Sequence, residues 1–253
     1  MIGYDDRESC IEWTELNPER GQDMLPVSEV FGPTIQGEGP HSGRPCWFIR
    51  LGGCNLSCEW CDTPYSTGHH GIPLSTVPRK TVRSIVGAIT PQTLVVISGG
   101  EPLMHAKRPA FVSLLIHLRA QGCTVHVETN GSILPPSSVA GLIAHYSISP
   151  KLGVRMVRAS HVPVVQNWAD LADRVVFKFV VEGDDDPTAF LTAARDLAVS
   201  HGCHPDRVWA MPEGKTAEEL APRWRNVAEA CAMLNINASH RLHALAWGDS
   251  KGH

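Results

Sequence analysis

An α/β fold built on a parallel sheet or barrel is predicted by three observations. Short apolar or β-branched runs recur along the chain, helical segments fall between them, and the two alternate every 25–30 residues or so. The chain has 253 residues, 43% of them hydrophobic and 19% charged, so it can bury roughly 70–75% of its unfolded surface in one large or two small domains.

The predicted strands are 47–53, 94–98, 124–129, 146–149, 175–181, 208–211 and 242–247, each a short run between turn residues. Helical spacing marks 109–121, where Phe111, Leu114, Leu115 and Leu118 share a face and Gly122 supplies the stop. A second helix is expected over 189–200. A third covers 216–235, opened by a Thr-x-x-Glu capping pattern at Thr216 and Glu219.

Charge places a boundary. Residues 1–24 hold seven acids and two bases, a balance of −5, whereas the whole chain sits at −4 and the remainder therefore at +1. Residues 1–24 read as a flexible acidic extension, and 25–253 as the core domain. The first fifteen residues lack the apolar stretch of a secretory signal, and no apolar run reaches the ~18 residues of a membrane span. With no basic block there is no electrostatic case for nucleic acid.

Three of eight cysteines, Cys54, Cys58 and Cys61, fall within eight residues. Without an export signal a disulfide framework is not expected, and so tight a cluster points to metal. Structural zinc wants four closed ligands and would have to recruit Cys46, His69 or His70. An iron–sulfur cubane held by three thiolates instead leaves one iron open.

Polar motifs stand where strands end. Ser98-Gly99-Gly100-Glu101-Pro102, Glu128-Thr129-Asn130-Gly131, Ser149-Pro150-Lys151 and Met211-Pro212-Glu213-Gly214 each follow a run, as Cys54 does. Any one of them is an ordinary turn; five in series are the mouth of a βα barrel, where active sites are built.

The x3–x2 cysteine spacing resembles the signature of radical S-adenosylmethionine (SAM) enzymes, with Trp60 as the aromatic before the last cysteine. SGGEP resembles the motif with which those enzymes hold the methionyl end of SAM; two glycines let backbone approach a ligand and a carboxylate suits an ammonium. Glu128 and Asn130 offer acceptors for ribose hydroxyls, and Lys151 can meet a carboxylate or hydroxyl.

A narrower resemblance joins these. The segment from Glu29 to Gly39 containing Gln36-Gly37-Glu38-Gly39, then Phe48-Ile49-Arg50-Leu51-Gly52-Gly53-Cys54, Cys61-Asp62-Thr63, Phe177-Lys178-Phe179-Val180 and Arg241-Leu242-His243 closely resemble the 7-carboxy-7-deazaguanine synthase family. The resemblance covers 25–253. It implies a partial, modified TIM-like barrel that converts 6-carboxy-5,6,7,8-tetrahydropterin into 7-carboxy-7-deazaguanine and ammonia, on the route to queuosine-type 7-deazapurines. A [4Fe–4S] cluster on Cys54, Cys58 and Cys61 would cleave SAM to a 5′-deoxyadenosyl radical that takes the C6 hydrogen and later recovers it.

By the same resemblance, Trp60, Asp62, Gly100, Glu101, Glu128, Asn130, Ser149, Pro150 and Lys151 contact SAM, and Thr63 binds Mg²⁺. Ile35, Gln36, Gly37, Glu38, Arg50, Ser98, His243 and the terminal carboxylate of His253 contact substrate. Arg50 could pair bidentately with the pterin carboxylate. Ser98 replaces the family's usual Thr but keeps the hydroxyl. A cytoplasmic homodimer served by a flavodoxin- or ferredoxin-type electron donor is expected. The rivals are a glycyl-radical activating enzyme, which would need neither QGEG nor Arg50 and Thr63, and a zinc-stabilised binding module, which leaves SGGEP, ETNG and SPK without a purpose.

Overall fold

A computed structural model describes residues 23–161, 163–183, 185–250 and 252. The acidic extension up to residue 22, and His253, therefore lie outside the described residues.

One twisted sheet of nine strands carries the fold, in the order β3-β1-β2-β4-β5-β6-β7-β8-β9. These are β1 Met24–Ile35, β2 Pro45–Leu51, β3 Arg79–Thr81, β4 Leu94–Gly99, β5 Thr124–Thr129, β6 His145–Ile148, β7 Val175–Val181, β8 Val208–Pro212 and β9 Asn237–Ala238. From β2 onward the neighbours run parallel, while β1 pairs antiparallel with β2 and β3 antiparallel with β1. The sheet thus ends in two unjoined edges, a barrel left open, as expected for a partial βα barrel.

Helices α1 Pro64–Thr67, α2 Val82–Gly87, α3 Pro109–Ala120, α4 Ser137–Ala140, α5 Thr188–Ser200 and α6 Ala217–Leu234 connect the strands, and α7 Leu242–Trp247 closes the chain. Period-two alternation sends one set of side chains outward against them. Ile49, Leu51, Ile97, Val127, Ile148, Phe177 and Phe179 join Phe111, Leu114, Leu115 and Leu118 of α3 in one buried core. The inward set is smaller and polar toward the strand ends, and that asymmetry makes the site.

The predicted strands and helices hold with one correction. Residues 242–247 form α7, not a strand: Leu245 N donates to Arg241 O at 3.1 Å and Gly248 N to Ala244 O at 2.9 Å. The Leu-His-Ala-Leu-Ala-Trp alternation is compatible with either period, and the two residues of β9 already occupy the edge beside β8. Strand β1 is an addition. Its Pro26 and Pro33 and two register shifts against β2 break the alternation that marks a strand in sequence. Met24 already pairs with Thr81, so the sheet begins just inside the segment assigned to the extension.

The capping signal at α6 is real: Thr216 Oγ1 accepts from Glu219 N at 3.3 Å, and Asn235 ends the helix in the left-handed conformation at φ 53°. Among the described residues no helix is long and apolar enough to cross a membrane.

Candidate active site

The C-terminal ends of β2, β4, β5, β6, β7 and β8 open on one cavity. Its lining includes Cys54, Cys58, Cys61, Ser98, Gly100, Glu128, Asn130, Ser149, Lys151, Ile35, Gln36, Glu38, Arg50, Trp60, Asp62, Thr63 and His243. Most of the site residues predicted from sequence therefore meet in a single space.

The three cysteines are free, and burial pushes all three thiols up, Cys54 to about 12. They stay protonated until a metal displaces the protons. Among the described residues no three Cys, His, Asp or Glu side chains converge on a point for one ion. Three thiols spread along the wall of a cavity fit the ligand set of a cluster, which binds each to a different iron. Residues 155–158 strap the loop down: Glu59 N donates to Arg155 O at 2.9 Å and Val157 N to Ser57 O at 2.7 Å. His69 Nε2 lies 2.9 Å from Cys54 O beneath it.

Backbone proximity explains the glycines of SGGEP. A Cβ on Gly100 would stand 2.0 Å from Gly53 O, so the β4 turn can lie against the backbone preceding Cys54 only without a side chain. Glu101, however, is turned into the wall and fully buried. Its carboxylate accepts from Leu103 N at 3.0 Å, Thr129 Oγ1 at 2.8 Å and Asn130 N at 2.8 Å. Burial raises it to about 6 against those hydrogen bonds. Its carboxylate thereby joins SGGEP to ETNG. Pro150 is likewise buried outside the cavity lining.

Asn130 is held as well: Nδ2 donates to Asn55 Oδ1 at 3.0 Å and Oδ1 accepts from Ser132 N at 2.9 Å. Lys151 Nζ donates to Ser149 Oγ at 2.9 Å and stands 5.3 Å from the centre of the Trp60 ring. Thr63, 7% exposed, has its hydroxyl 3.8 Å from Cys61 Sγ.

Across the cavity lies a buried charge network, much of it unanticipated. Glu38 pairs with Lys178 and, at 2.9 Å, with Arg241 Nε. Arg241 also donates to Asp62 Oδ2 at 2.9 Å and to Gly214 O at 2.6 Å. Burial alone would raise Glu38, but Lys178, Arg241 and His243 outweigh it and hold the carboxyl well below the usual range. Lys178 is correspondingly raised against burial by Glu38 and Glu128. Asp62, its side chain 47% exposed, is kept below its ordinary value by Arg241 and Arg50 against the desolvation of the cavity. Gln36 Nε2 donates to Glu128 Oε1 at 3.2 Å, tying the QGEG loop to β5.

Gly37 does not line the cavity but makes room for what does. A Cβ there would lie 2.0 Å from His243 Nδ1, and Leu242 N donates to Gly37 O at 3.0 Å. Arg50 Nε donates to Glu29 Oε2 at 2.9 Å, an oxygen that also accepts from Tyr65 OH at 3.0 Å. That leaves the terminal guanidinium nitrogens of Arg50 without a hydrogen-bond partner among the described residues. Further down the barrel, on the side away from the mouth, the rings of His41, His126 and His145 cluster in tilted and edge-on contact with centres 4.4–4.9 Å apart.

The sequence alone assigns no role to Lys178 or Arg241, yet both pair with Glu38 in this network. The signal for Lys178 was a lone cation in the otherwise apolar run of β7, which is buried on both faces.

The Radical SAM superfamily profile matches residues 48–152. A 7-carboxy-7-deazaguanine synthase from Pyrobaculum aerophilum is 34% identical over 230 residues, covering 89% of this chain and 96% of the relative. Another from Hyperthermus butylicus is 35% identical over 230 residues, covering 88% and 92%. The crystal structure of QueE from Escherichia coli superposes with a TM-score of 0.62 over 87% of this chain and 95% of that one, at 23% identity, and supports the fold. Identity at this level along nearly the full length of such relatives places the chain in the 7-carboxy-7-deazaguanine synthase family of radical SAM enzymes.

Proposed function

We infer that the chain contracts 6-carboxy-5,6,7,8-tetrahydropterin to 7-carboxy-7-deazaguanine with loss of ammonia. The observation that carries this reading is one cavity holding three free thiols, an arginine with its terminal nitrogens open, and a buried carboxylate kept ionised. When bound, the cluster and SAM supply the radical that takes hydrogen from the substrate.

The protein's own contribution is position and charge. Arg50, oriented through its Nε by Glu29, presents two N–H groups to the pterin carboxylate. Glu38, ionised by its two cations, is an acceptor for the N–H edge of an aminopyrimidinone, and Gln36 stands beside it. His243, seated over Gly37, packs on the substrate's side of the cavity, and Ser98 faces the same space. Glu128, Asn130, Ser149, Lys151, Trp60 and Asp62 form the SAM side. Thr63 is the protein ligand for Mg²⁺, whose remaining shell substrate and water would complete. The working enzyme is a cytoplasmic homodimer, reduced by a flavodoxin- or ferredoxin-type donor.

An anaerobic assay of reconstituted protein with SAM, dithionite, Mg²⁺ and the pterin, read by mass spectrometry, tests this. Formation of 7-carboxy-7-deazaguanine over many turnovers with SAM undiminished is expected. SAM cleavage without deazaguanine would reject the reaction and bring the glycyl-radical activase forward.

A further inference from the structure

Resting on that reading, we propose that His69 is a positioning residue for the cluster: its ring N–H fixes the peptide of Cys54 from behind and so holds the first thiol at the cavity wall. Three observations carry this. First, the backbone leading into Cys54 is tied down atom by atom. Gly53 N donates to Ser66 O at 2.7 Å and Cys54 N to Thr67 O at 3.1 Å, so α1 lies against the strand exit. The carbonyls are met in turn: Gly52 O lies 2.8 Å from His105 Nε2, Gly53 O accepts from Glu101 N at 2.8 Å, and Cys54 O lies 2.9 Å from His69 Nε2. A carbonyl only accepts, so both imidazoles carry a proton on Nε2.

Second, the chain's own turn delivers His69 to that place. Helix α1 ends at Gly68, whose φ of 81° reverses the backbone, and His69 N donates to Thr67 Oγ1 at 3.1 Å. The ring is buried, edge-on to His161 with centres 4.9 Å apart. Cys54 and Thr67 line the cavity and His69 does not. It therefore stands behind the thiol, and not beside it where a fourth metal ligand would have to be.

Third, His69 Nδ1 is buried with no hydrogen-bond partner among the described residues. Leaving a buried ring nitrogen unmet is unfavourable, so the burial does not explain itself; the contact of Nε2 with Cys54 O does. That N–H also sets the positive end of a dipole beside the cluster loop, which favours the more negative, reduced state of a bound cluster.

The test compares His69→Leu, which removes the donor, with His69→Gln, whose amide nitrogen can reach the same carbonyl, and His69→Asn, whose side chain is one methylene too short. After anaerobic reconstitution of the full-length proteins, iron loss to EDTA is followed by visible absorbance. His69→Leu and His69→Asn should lose the cluster about tenfold faster than wild type, and His69→Gln within about threefold of it. Redox titration followed by EPR should show the first two shifted to lower potential and His69→Gln near wild type. His117→Gln, whose ring bonds Ser113 O on α3, should match wild type in both. Unchanged iron loss in His69→Leu and His69→Asn overturns the proposal. So does loss as fast in His69→Gln as in His69→Asn, which would make ring packing and not the N–H the cause. Faster loss with an unmoved potential also overturns it, leaving His69 a structural residue only. Should His69→Leu fail to fold, His69→Gln against His69→Asn decides alone. A wild type that takes up no cluster overturns both the proposal and the reading beneath it. Failure of a normally loaded wild type to form deazaguanine would instead reject the functional reading, with the His69 comparison intact.

Discussion

Replacing Arg241 with methionine isolates the value of the buried network. The guanidinium is about nine-tenths buried and satisfies three chain segments at once: Glu38 of the QGEG loop, Asp62 after the last cysteine, and Gly214 after β8. Removing one partner of a buried ion pair costs roughly 3–5 kcal/mol. Glu38 keeps Lys178, which lowers the cost, while the carbonyl of Gly214 loses its donor, which raises it. A net loss of about 2–4 kcal/mol follows, and for a domain of this size that lowers Tm by roughly 5–15 °C. Calorimetry of the apoprotein at pH 7 reads the stability. Kinetics of the loaded enzyme should show the KM for pterin rising more than kcat falls, because Glu38 loses its fixed position before it loses its charge. Arg241→Lys keeps the charge but cannot span three acceptors, and should recover less than half of the loss. A Tm within 1 °C or so of wild type, or full recovery by lysine, would show that the fork geometry is irrelevant.

Gly37→Ala should drive His243 from its seat, raising the KM for pterin severalfold in steady-state assays with little effect on SAM affinity. Unchanged KM would remove His243 from the substrate's side. Glu101→Gln presents an N–H₂ where donors already point, and should cost about 1–3 kcal/mol in urea unfolding; a neutral result would mean that the wall carries a protonated carboxyl. The His41–His126–His145 cluster predicts acid sensitivity. Burial, with the neighbouring imidazoles, lowers His126 and His145 from 6.5 to about 3. Their unfolded forms bind protons first, so stability is complete above pH 6.5 and falls as pH drops toward 3. The loss is up to about 2 kcal/mol per ring at pH 5. A His126→Leu/His145→Leu variant should show a shallower decline between pH 7 and 5 in urea melts, and parallel curves would refute the assignment.

What could be read in advance follows from burial. Strands β4, β5 and β7 are covered on both faces, so their apolar runs announce themselves without tertiary knowledge. Strand β1 pairs on both edges yet bends around Pro26 and Pro33, and its register becomes visible only against β2 and β3. The fate of 242–247 was decided by contacts 200 residues away: Leu242 N is committed to Gly37 O. In the site, the loops that carry ligands sat next to conspicuous glycines and cysteines and could be found. The roles of Lys178 and Arg241 could not, because a positioning cation is defined by partners that sequence leaves far apart. Glu101 was legible as a motif residue, while the hydrogen bonds of its carboxylate to Thr129 and Asn130 were not, because they join segments 28 and 29 residues apart.

Chain order also gives the site a history. The three thiols lie within residues 54–61, their cover arrives with 155–158, and the Arg241 contact to Glu38 spans 203 positions. During synthesis, then, the cysteines are made before the segment that covers them. The polar half of the cavity is completed only by the last helix. A chain cut before Arg241 would keep its three cysteines and lack the contact that holds Glu38 in place.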